Sequence, residues 1–219
     1  MDKKSFFERT VEESLWGQAK NRPKPKGRLA GAIKRTSLAE PSEAHRRVLY
    51  YFFSYPEQAI GLNDLAKSIR TSKTSTREAV LRLEREGFLK KEVIGNAWRI
   101  CANLKHPYTT TTKIPHNVQL IYECGIINAV YDKVPGARAV ILFGSYRWGT
   151  DNENSDIDIA AEVLDSKDLR ILSLGKVDFE FRKNVTVNLH IFSRNKIDLN
   201  LFTNIANGIV LDGVLEVRP

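Results

Sequence analysis

The pattern of apolar and polar residues predicts three helices in the first half of the chain. Apolar positions recur with helical spacing at about 43–54, 63–69 and 73–86, and each stripe faces one small core. Ser42 and Ser72 stand just before the first and third of these stripes. A serine there favours a helix start, because its hydroxyl accepts a backbone N–H of the first turn.

Two alternating segments follow these helices. Residues 88–93 and 97–101 alternate as strands do, and Gly95-Asn96 between them is a residue pair typical of a two-residue hairpin turn. Next, residues 103–116 contain Pro107, four consecutive threonines and Pro115, with no apolar period. We therefore expect a hairpin, and then a linker at about 103–113.

The second half mixes helices and strands. Apolar residues at helical spacing predict one helix over 117–134, and the uninterrupted run 139–143 predicts a buried strand. Residues 185–192 alternate as a strand, whereas 195–207 has the pattern of a helix. The spacing of Leu172, Leu174, Val177 and Phe181 suggests a further helix before strand 185–192. These elements predict an α+β domain with a mixed sheet.

Charge divides the chain in two. The net charge is +5 over residues 1–40, +6 over 41–113 and −3 over 114–219, within a total of +8. Such an asymmetry fits one part that contacts a polyanion and another that holds cations. Residues 1–40 are interpreted as a basic, flexible N-terminal arm, which acts either as a solvated tail or as a non-specific phosphate-binding segment.

Apolar content places the protein among globular proteins. No run approaches the roughly 18 apolar residues of a membrane-spanning helix, and acidic residues follow Phe6 and Phe7 where a signal peptide would have its apolar core. We expect a cytoplasmic protein that does not bind a membrane. With two cysteines, Cys101 and Cys124, that lack CxxC spacing, and scattered histidines, no zinc site is predicted.

The stretch LNDLAKSIRTSKTSTREAVLRLEREGFLKK resembles the winged helix-turn-helix family. We assign the resemblance to a domain at 41–102. In that family the third helix enters the major groove and the wing lies near the DNA backbone. The resemblance implies DNA contacts by exposed basic and hydroxyl residues: Lys73, Thr74, Ser75 and Arg77 on the helix, and Lys90, Lys91 and Arg99 on the wing. A protein-interaction module is the alternative, which Glu78 and Leu81 on the third helix favour.

The chemistry of the second half centres on two aspartates. Asp156 and Asp158 alternate with Ile157 and Ile159, so in a strand both carboxylates project from one face and can hold a hard cation. Upstream, Gly144-Ser145 follows the predicted strand 139–143. A glycine there lets the backbone approach phosphate oxygens, and the serine offers a hydroxyl and a backbone N–H. A surface loop with acidic residues is the alternative interpretation.

The segment ILFGSYRWGTDNENSDIDIAAEV resembles the signature of the DNA polymerase beta superfamily, within its minimal nucleotidyltransferases. The resemblance covers about a hundred residues, from the predicted helix 117–134 to the C-terminus, and we assign it to a domain at 114–219. It implies that Asp156 and Asp158 bind Mg²⁺, with Mn²⁺ as the alternative ion, and that Gly144, Ser145 and Arg147 bind the nucleotide. A nucleotidyl group would then be transferred in line, with release of pyrophosphate.

The chain departs from that family at two positions. The arginine after Gly-Ser is shifted by one place, to Arg147, and the family's third carboxylate, on a later strand, corresponds to Asn188. An amide donates a neutral oxygen to a metal and cannot act as a base. Asp178 and Glu180 lie near in sequence and are alternative sources of the missing carboxylate.

The sequence therefore indicates an Mg²⁺-dependent nucleotidyltransferase that uses an NTP such as ATP and is targeted by a winged helix that binds duplex DNA. The acceptor is a protein, such as a HEPN-type toxin, or a nucleic acid such as tRNA. A DNA-binding regulator with a degenerate, nucleotide-sensing transferase domain is the second hypothesis, and an antitoxin-like interaction protein is the third. A homodimer is left open.

Overall fold

Two groups of secondary structure follow one another along the chain. The computed structural model describes residues 41–165 and 167–217, and the basic arm predicted for 1–40 lies outside the described residues. Residues 41–219 form one compact unit. The boundaries at 102 and 114 stay predictions.

The first group contains the three helices and the hairpin that the sequence predicted. Helices α1, α2 and α3 span Glu43–Ser54, Leu62–Ser68 and Lys73–Arg85; strands β1, β2 and β3 span Ile60–Gly61, Leu89–Ile94 and Ala97–Ala102. The strands form an antiparallel sheet in the order β1-β3-β2. Ser42 and Ser72 cap α1 and α3 as expected, each by accepting a backbone N–H. Apolar spacing, the capping serines and the turn residues therefore predicted these elements correctly.

A short connector follows the hairpin where the sequence predicted a linker. It contains one helical turn, α4 (Tyr108–Thr111). His106 and Tyr108 form hydrogen bonds with Glu86, at 3.0 Å to its carbonyl and 3.2 Å to its carboxylate. On the other side, a Cβ at Gly149 would lie only 2.1 Å from the Thr109 carbonyl oxygen. The connector is thus packed against both groups of elements.

The second group is a five-stranded sheet with helices on both faces. Its helices are α5 (Lys113–Glu123), α6 (Ile126–Lys133), α7 (Gly144–Trp148) and α8 (Leu199–Ala206), with a 3-10 turn at Arg194–Lys196; its strands are β4 (Ala139–Phe143), β5 (Ile157–Glu162), β6 (Arg170–Val177), β7 (Val185–Phe192) and β8 (Ile209–Gly213). The strand order is β6-β7-β5-β4-β8, in which β5 and β7 are parallel and the other neighbours antiparallel. The predicted mixed sheet is confirmed.

Side chains alternate between the two faces of this sheet. One face packs under α5 and α6, with Leu142, Ile157 and Leu189 among its buried residues. The other face packs partly under α8, around Ile141 and Phe192. Asp158 of β5 and its register partner Asn188 of β7 are only partly buried on this second face.

The helix predicted over 117–134 is two helices. The break falls at Cys124–Gly125, where Gly125 adopts the left-handed φ of 75°. Apolar spacing continues through the break, because both helices pack on the same sheet face. A periodic pattern does not record a change of axis between two helices that share a core.

The helix suggested by Leu172, Leu174, Val177 and Phe181 was wrong. Residues Arg170–Val177 form the edge strand β6, antiparallel to β7. The register shifts between Ser173 and Gly175, and Gly175 has a φ of 108°. A bulge moves the alternation by one residue, so the apolar positions on either side of it no longer repeat every second residue. The resulting spacing imitates a helix.

Within the described ranges, none of the helices is long and apolar enough to cross a membrane.

Candidate active site

The buried strand β4 brings the Gly-Ser pair against the second aspartate. Phe143, the last residue of β4, pairs with Asp158 of β5, and Gly144 begins α7 with a φ of 72°. A Cβ added at Gly144 would lie 2.7 Å from Asp158 Oδ2. Only glycine allows both this backbone conformation and this approach. The structure therefore brings together two of the predicted site residues.

The two aspartates stand at the start of β5. Asp156 is exposed just before the strand, and Asp158 is half-buried within it. Ile157 and Ile159 between and after them are fully buried in the core below. Alternation along β5 sets Asp158 on the face opposite the two buried isoleucines, whereas the direction of Asp156, which precedes the strand, stays a prediction.

Asn188 lies beside Asp158 on the neighbouring parallel strand. The two residues are register partners, and the Asn188 amide donates to Asp158 Oδ1 at 3.3 Å. The predicted third position is therefore next to the carboxylate pair, occupied by a neutral group.

His190 is a site neighbour that the sequence reasoning missed. Its Nε2 lies 3.5 Å from Asp158 Oδ1, and its buried Nδ1 has no hydrogen-bond partner among the described residues. His190 follows Asn188 by two positions on β7, so both project from the same face. That i, i+2 relation within VTVNLHIF was the signal available in the sequence.

Arg147 and Ser145 belong to the helix that follows β4. The Arg147 guanidinium donates to the Asn207 carbonyl at 2.7 Å and stacks 3.9 Å from the centre of the Trp148 ring. The Ser145 carbonyl accepts the Thr150 N–H at 3.1 Å, and α7 ends just before Gly149. In this arrangement Arg147 contacts the end of α8, and its contact with nucleotide stays a prediction.

Asp178 and Glu180 are engaged away from the aspartate pair. The Asp178 carboxylate accepts the Asn184 N–H at 2.9 Å, and Glu180 forms an ion pair with Arg47 of α1 at 3.5 Å. Both acids lie in the turn before β7, whereas Asn188 lies inside that strand. Neither acid takes the third position in the described structure.

A buried polar cluster fixes the loop between Ser145 and Asp156. Lys113 and Asp151 form an ion pair at 3.2 Å with side chains only 3% and 4% exposed. Asn117 donates to Asp151 at 2.8 Å and to the Tyr146 carbonyl at 3.0 Å. Burial raises the pKa of Asp151 and lowers that of Lys113, and each charge opposes the shift of the other. The sequence analysis had treated this loop only as polar.

Arg182 completes the cluster from the turn before β7. It donates to the Tyr146 hydroxyl and to the Ser155 carbonyl, each at 2.5 Å, and lies 4.0 Å from Asp151. Burial raises the pKa of Tyr146, which Arg182 opposes, so this hydroxyl stays protonated. The guanidinium thus connects the residue after Ser145 with the residue before Asp156.

A cavity of about 400 Å³ borders this cluster between α1 and α5. Arg182, Asn117 and His116 are among its lining residues. The His116 ring stacks on Tyr50 of α1, with ring centres 3.8 Å apart. Burial lowers the pKa of His116 from 6.5 to about 4, Glu123 opposing this and Lys113 reinforcing it.

The predicted DNA-contacting residues lie on α3 and the hairpin. Lys73, Thr74, Ser75 and Arg77 are all exposed on α3, as are Lys90 and Arg99 on the hairpin. Lys91 is paired with Glu84 at 2.8 Å, and Arg99 with Glu92 at 3.0 Å. Trp98, which the sequence analysis did not single out, lies under Lys91 and near Arg77, at 4.7 and 5.6 Å from its ring centre.

The donor set of the aspartate pair suits a hard cation. Two carboxylates and an adjacent amide offer oxygen atoms, which Mg²⁺ prefers. Gly144 leaves open the space beside Asp158 that a Cβ would fill. Among residues 41–165 and 167–217, no group of three or more His, Cys, Asp or Glu side chains is arranged to hold a metal ion. Any ion here would therefore depend on two carboxylates and on neutral ligands.

The buried histidine makes stability depend on pH. The folded pKa of His116 lies below its unfolded value, so its neutral form contributes fully above about pH 6.5 and is lost as pH falls toward 4. We expect the free energy of unfolding to drop by up to about 3 kcal/mol across this window from this group. Urea titrations at several pH values measure it.

His116→Phe is the matched variant, because it retains a ring against Tyr50 and removes the titrating group. Burial also lowers the pKa of His45, so part of the slope should persist in the variant. Equal slopes in the two proteins between pH 6.5 and 4 would contradict the assignment to His116.

Comparison with known proteins supports the chemistry that this geometry suggests. Residues 126–215 match the family described as "Polymerase beta, Nucleotidyltransferase". A 51-residue segment is 43% identical to the Protein adenylyltransferase MntA of Shewanella oneidensis, which is 23% of this chain and 37% of that protein. The match thus spans little more than a third of that relative's length. Over residues 126–215 the chain is similar to polymerase beta nucleotidyltransferases, the family that the spacing of Gly-Ser and Asp-x-Asp indicated.

Proposed function

We propose that this protein is a nucleotidyltransferase that transfers AMP from ATP to a hydroxyl group of a protein, with Mg²⁺ bound by Asp156 and Asp158. The observation that carries the proposal is the close approach of Gly144 to Asp158, which supports the Gly144-Ser145 turn as the segment that would bind phosphate beside that carboxylate. The name of the partial relative, a protein adenylyltransferase, favours ATP and a protein acceptor. An RNA acceptor is an alternative outcome of the experiment below.

The chain's own residues would perform the binding and the orientation. The backbone at Gly144 and Ser145 would contact the phosphates, and the two carboxylates would hold the cation. Bound Mg²⁺ would neutralise phosphate charge and polarise the phosphorus toward attack. The acceptor oxygen then bonds to the α-phosphorus, the bond to the β-phosphate oxygen breaks, pyrophosphate leaves, and the hydroxyl proton passes to water.

We further propose that residues 41–102 act as a winged helix that binds duplex DNA. Its support is the order of three helices and a hairpin, together with the exposed Lys73 and Arg77 on α3. Trp98 adds an aromatic surface near two cations, Arg77 and Lys91. This part would locate the transferase on nucleic acid.

A second candidate function is nucleotide sensing without turnover. Asn188 favours it, because the neutral amide beside Asp158 supplies no third charge for a second cation. In that case the chain would bind NTP and DNA, and the bound nucleotide would act as the signal.

The double variant Asp156→Asn, Asp158→Asn should lose Mg²⁺-dependent ATP binding and any transfer, because both anionic donors are removed. Calorimetry measures the binding. Incubation with α-labelled ATP and a cell extract, followed by protease or ribonuclease, shows whether label enters protein or RNA.

The control is Asp132→Asn, Asp168→Asn, which makes the same change in charge at two exposed positions. It should bind ATP like the natural protein. Unchanged ATP affinity in the Asp156, Asp158 variant would refute the assignment of the site.

Asn188→Asp should separate turnover from sensing. A third carboxylate beside Asp158 strengthens cation binding, so we expect transfer to rise about tenfold, or ~1.4 kcal/mol of barrier. Without Mg²⁺ the same variant should be less stable, because the amide that donates to Asp158 becomes a repelling anion. Melting curves with and without Mg²⁺ measure this.

Asn128→Asp introduces the same charge at an exposed position of α6 and is the control. A natural protein that is inert but gains activity with Asn188→Asp would favour sensing. An active natural protein whose rate and Mg²⁺ dependence do not change would show that Asn188 lies outside the reacting centre.

Duplex DNA should bind with an affinity that falls steeply between about 50 and 200 mM salt, because phosphate contacts release counterions. Lys73→Gln, Arg77→Gln should reduce the slope of log K against log salt by about 1 to 2. Lys133→Gln, Lys176→Gln removes two exposed cations from the second half and is the control. Equal losses in both variants would refute the role of α3.

A further inference from the structure

The turn between β6 and β7 contacts both halves of the described structure. Phe179 is buried in the core under the sheet, and its N–H donates to the Arg182 carbonyl at 2.7 Å. Asn184 ends the turn with a φ of 57°, its N–H held by Asp178. The turn is therefore anchored at both ends by bonds within itself.

One side of this turn faces α1 and its C-terminus. The Tyr55 hydroxyl donates to the Phe181 carbonyl at 2.5 Å. The Phe181 ring packs edge-on against Tyr51, with ring centres 5.8 Å apart. It is partly buried against the core formed by the first group of elements. The ion pair between Arg47 and Glu180 adds a third contact.

The next residue in the turn faces the opposite way. Arg182 is 94% buried and donates to the Ser155 carbonyl and to the Tyr146 hydroxyl. Ser155 precedes Asp156, and Tyr146 follows Ser145. A guanidinium suits this role, because its rigid, planar set of donors reaches two acceptors in fixed directions.

We propose that Arg182 is a positioning residue for the Asp156 loop, and that Phe181 and Tyr55 transmit the placement of α1 to it. Phe181 and Arg182, adjacent residues of one short turn, thus join the first group of elements to the loop that carries Asp156. Movement of α1, for example when the first domain binds DNA, would change the geometry of the carboxylate pair through this turn. The proposal rests on the proposed function only in treating Asp156 as part of the site.

Two measurements on the full chain test this role. Hydrogen exchange reports the opening of amides at 155–157 without any ligand, and Mn²⁺ titration followed by electron paramagnetic resonance reports the carboxylate pair. Arg182→Met should speed exchange at 155–157 and weaken Mn²⁺ binding, each about tenfold, because hydrogen bonds from a buried charge are lost. Arg182→Lys, which retains the charge, should recover part of both.

Tyr55→Phe tests transmission from α1. It removes one hydrogen bond at a half-buried residue outside the loop, so exchange at 155–157 should rise about threefold. Tyr122→Phe is the matched control, because it removes a tyrosine bond to the Leu211 carbonyl of 2.7 Å elsewhere in the domain. It should leave exchange at 155–157 unchanged.

The outcomes distinguish failure of this proposal from failure of the proposed function. If the natural protein binds no Mn²⁺, the metal assignment fails and hydrogen exchange still decides the role of Arg182. If Arg182→Met does not fold, Tyr55→Phe and Arg182→Lys decide it. Exchange at 155–157 that is unchanged in Tyr55→Phe, or equal in Tyr55→Phe and Tyr122→Phe, would overturn the transmission.

Discussion

The buried ion pair between Lys113 and Asp151 is the constraint on which the site depends. Burying two charges is costly unless they are paired and hydrogen-bonded, and loss of one partner typically costs about 3–5 kcal/mol. Here Asn117 donates a hydrogen bond to Asp151, and the Arg182 guanidinium adds a second positive charge 4.0 Å from its carboxylate. The loop that follows Gly149 is thereby held at Asp151. Asp156, the first residue of the carboxylate pair, follows five residues later.

The same pair explains why the two halves of the described structure meet where they do. Lys113 is the first residue of α5, directly after the connector that packs on Glu86 and against Gly149. A connector with freedom to move would carry this lysine away from Asp151. The packing of the connector and the burial of the charge therefore depend on each other. A linker that is only a flexible tether would leave Asp151 without its lysine partner.

Local features of the site were predictable from sequence, and its long-range contacts were not. Strand 139–143 and the alternation at Asp156 and Asp158 are encoded by neighbours within a few residues, and the place of Asn188 was given by the family resemblance. By contrast, Lys113 and Asp151 are 38 residues apart, and nothing in the pattern of either segment marks them as partners. The predictions at the bulge in β6 and at the break at Gly125 were wrong for a related reason. Both features change the backbone geometry without changing which residues are apolar.

The electrostatics of the aspartate pair connect the buried cluster to the choice between turnover and sensing. Lys113, Arg182 and Asp151 together carry one positive charge in excess, and Arg182 reaches the residue before Asp156. A fixed cation behind the loop reduces the repulsion between two adjacent carboxylates, and the neutral Asn188 adds none. Two carboxylates beside a neutral amide therefore repel one another less in the absence of an ion than three carboxylates would. Under the proposed function, a site that is stable when empty would respond to nucleotide, and it would bind an activating cation more weakly than a site with three charges.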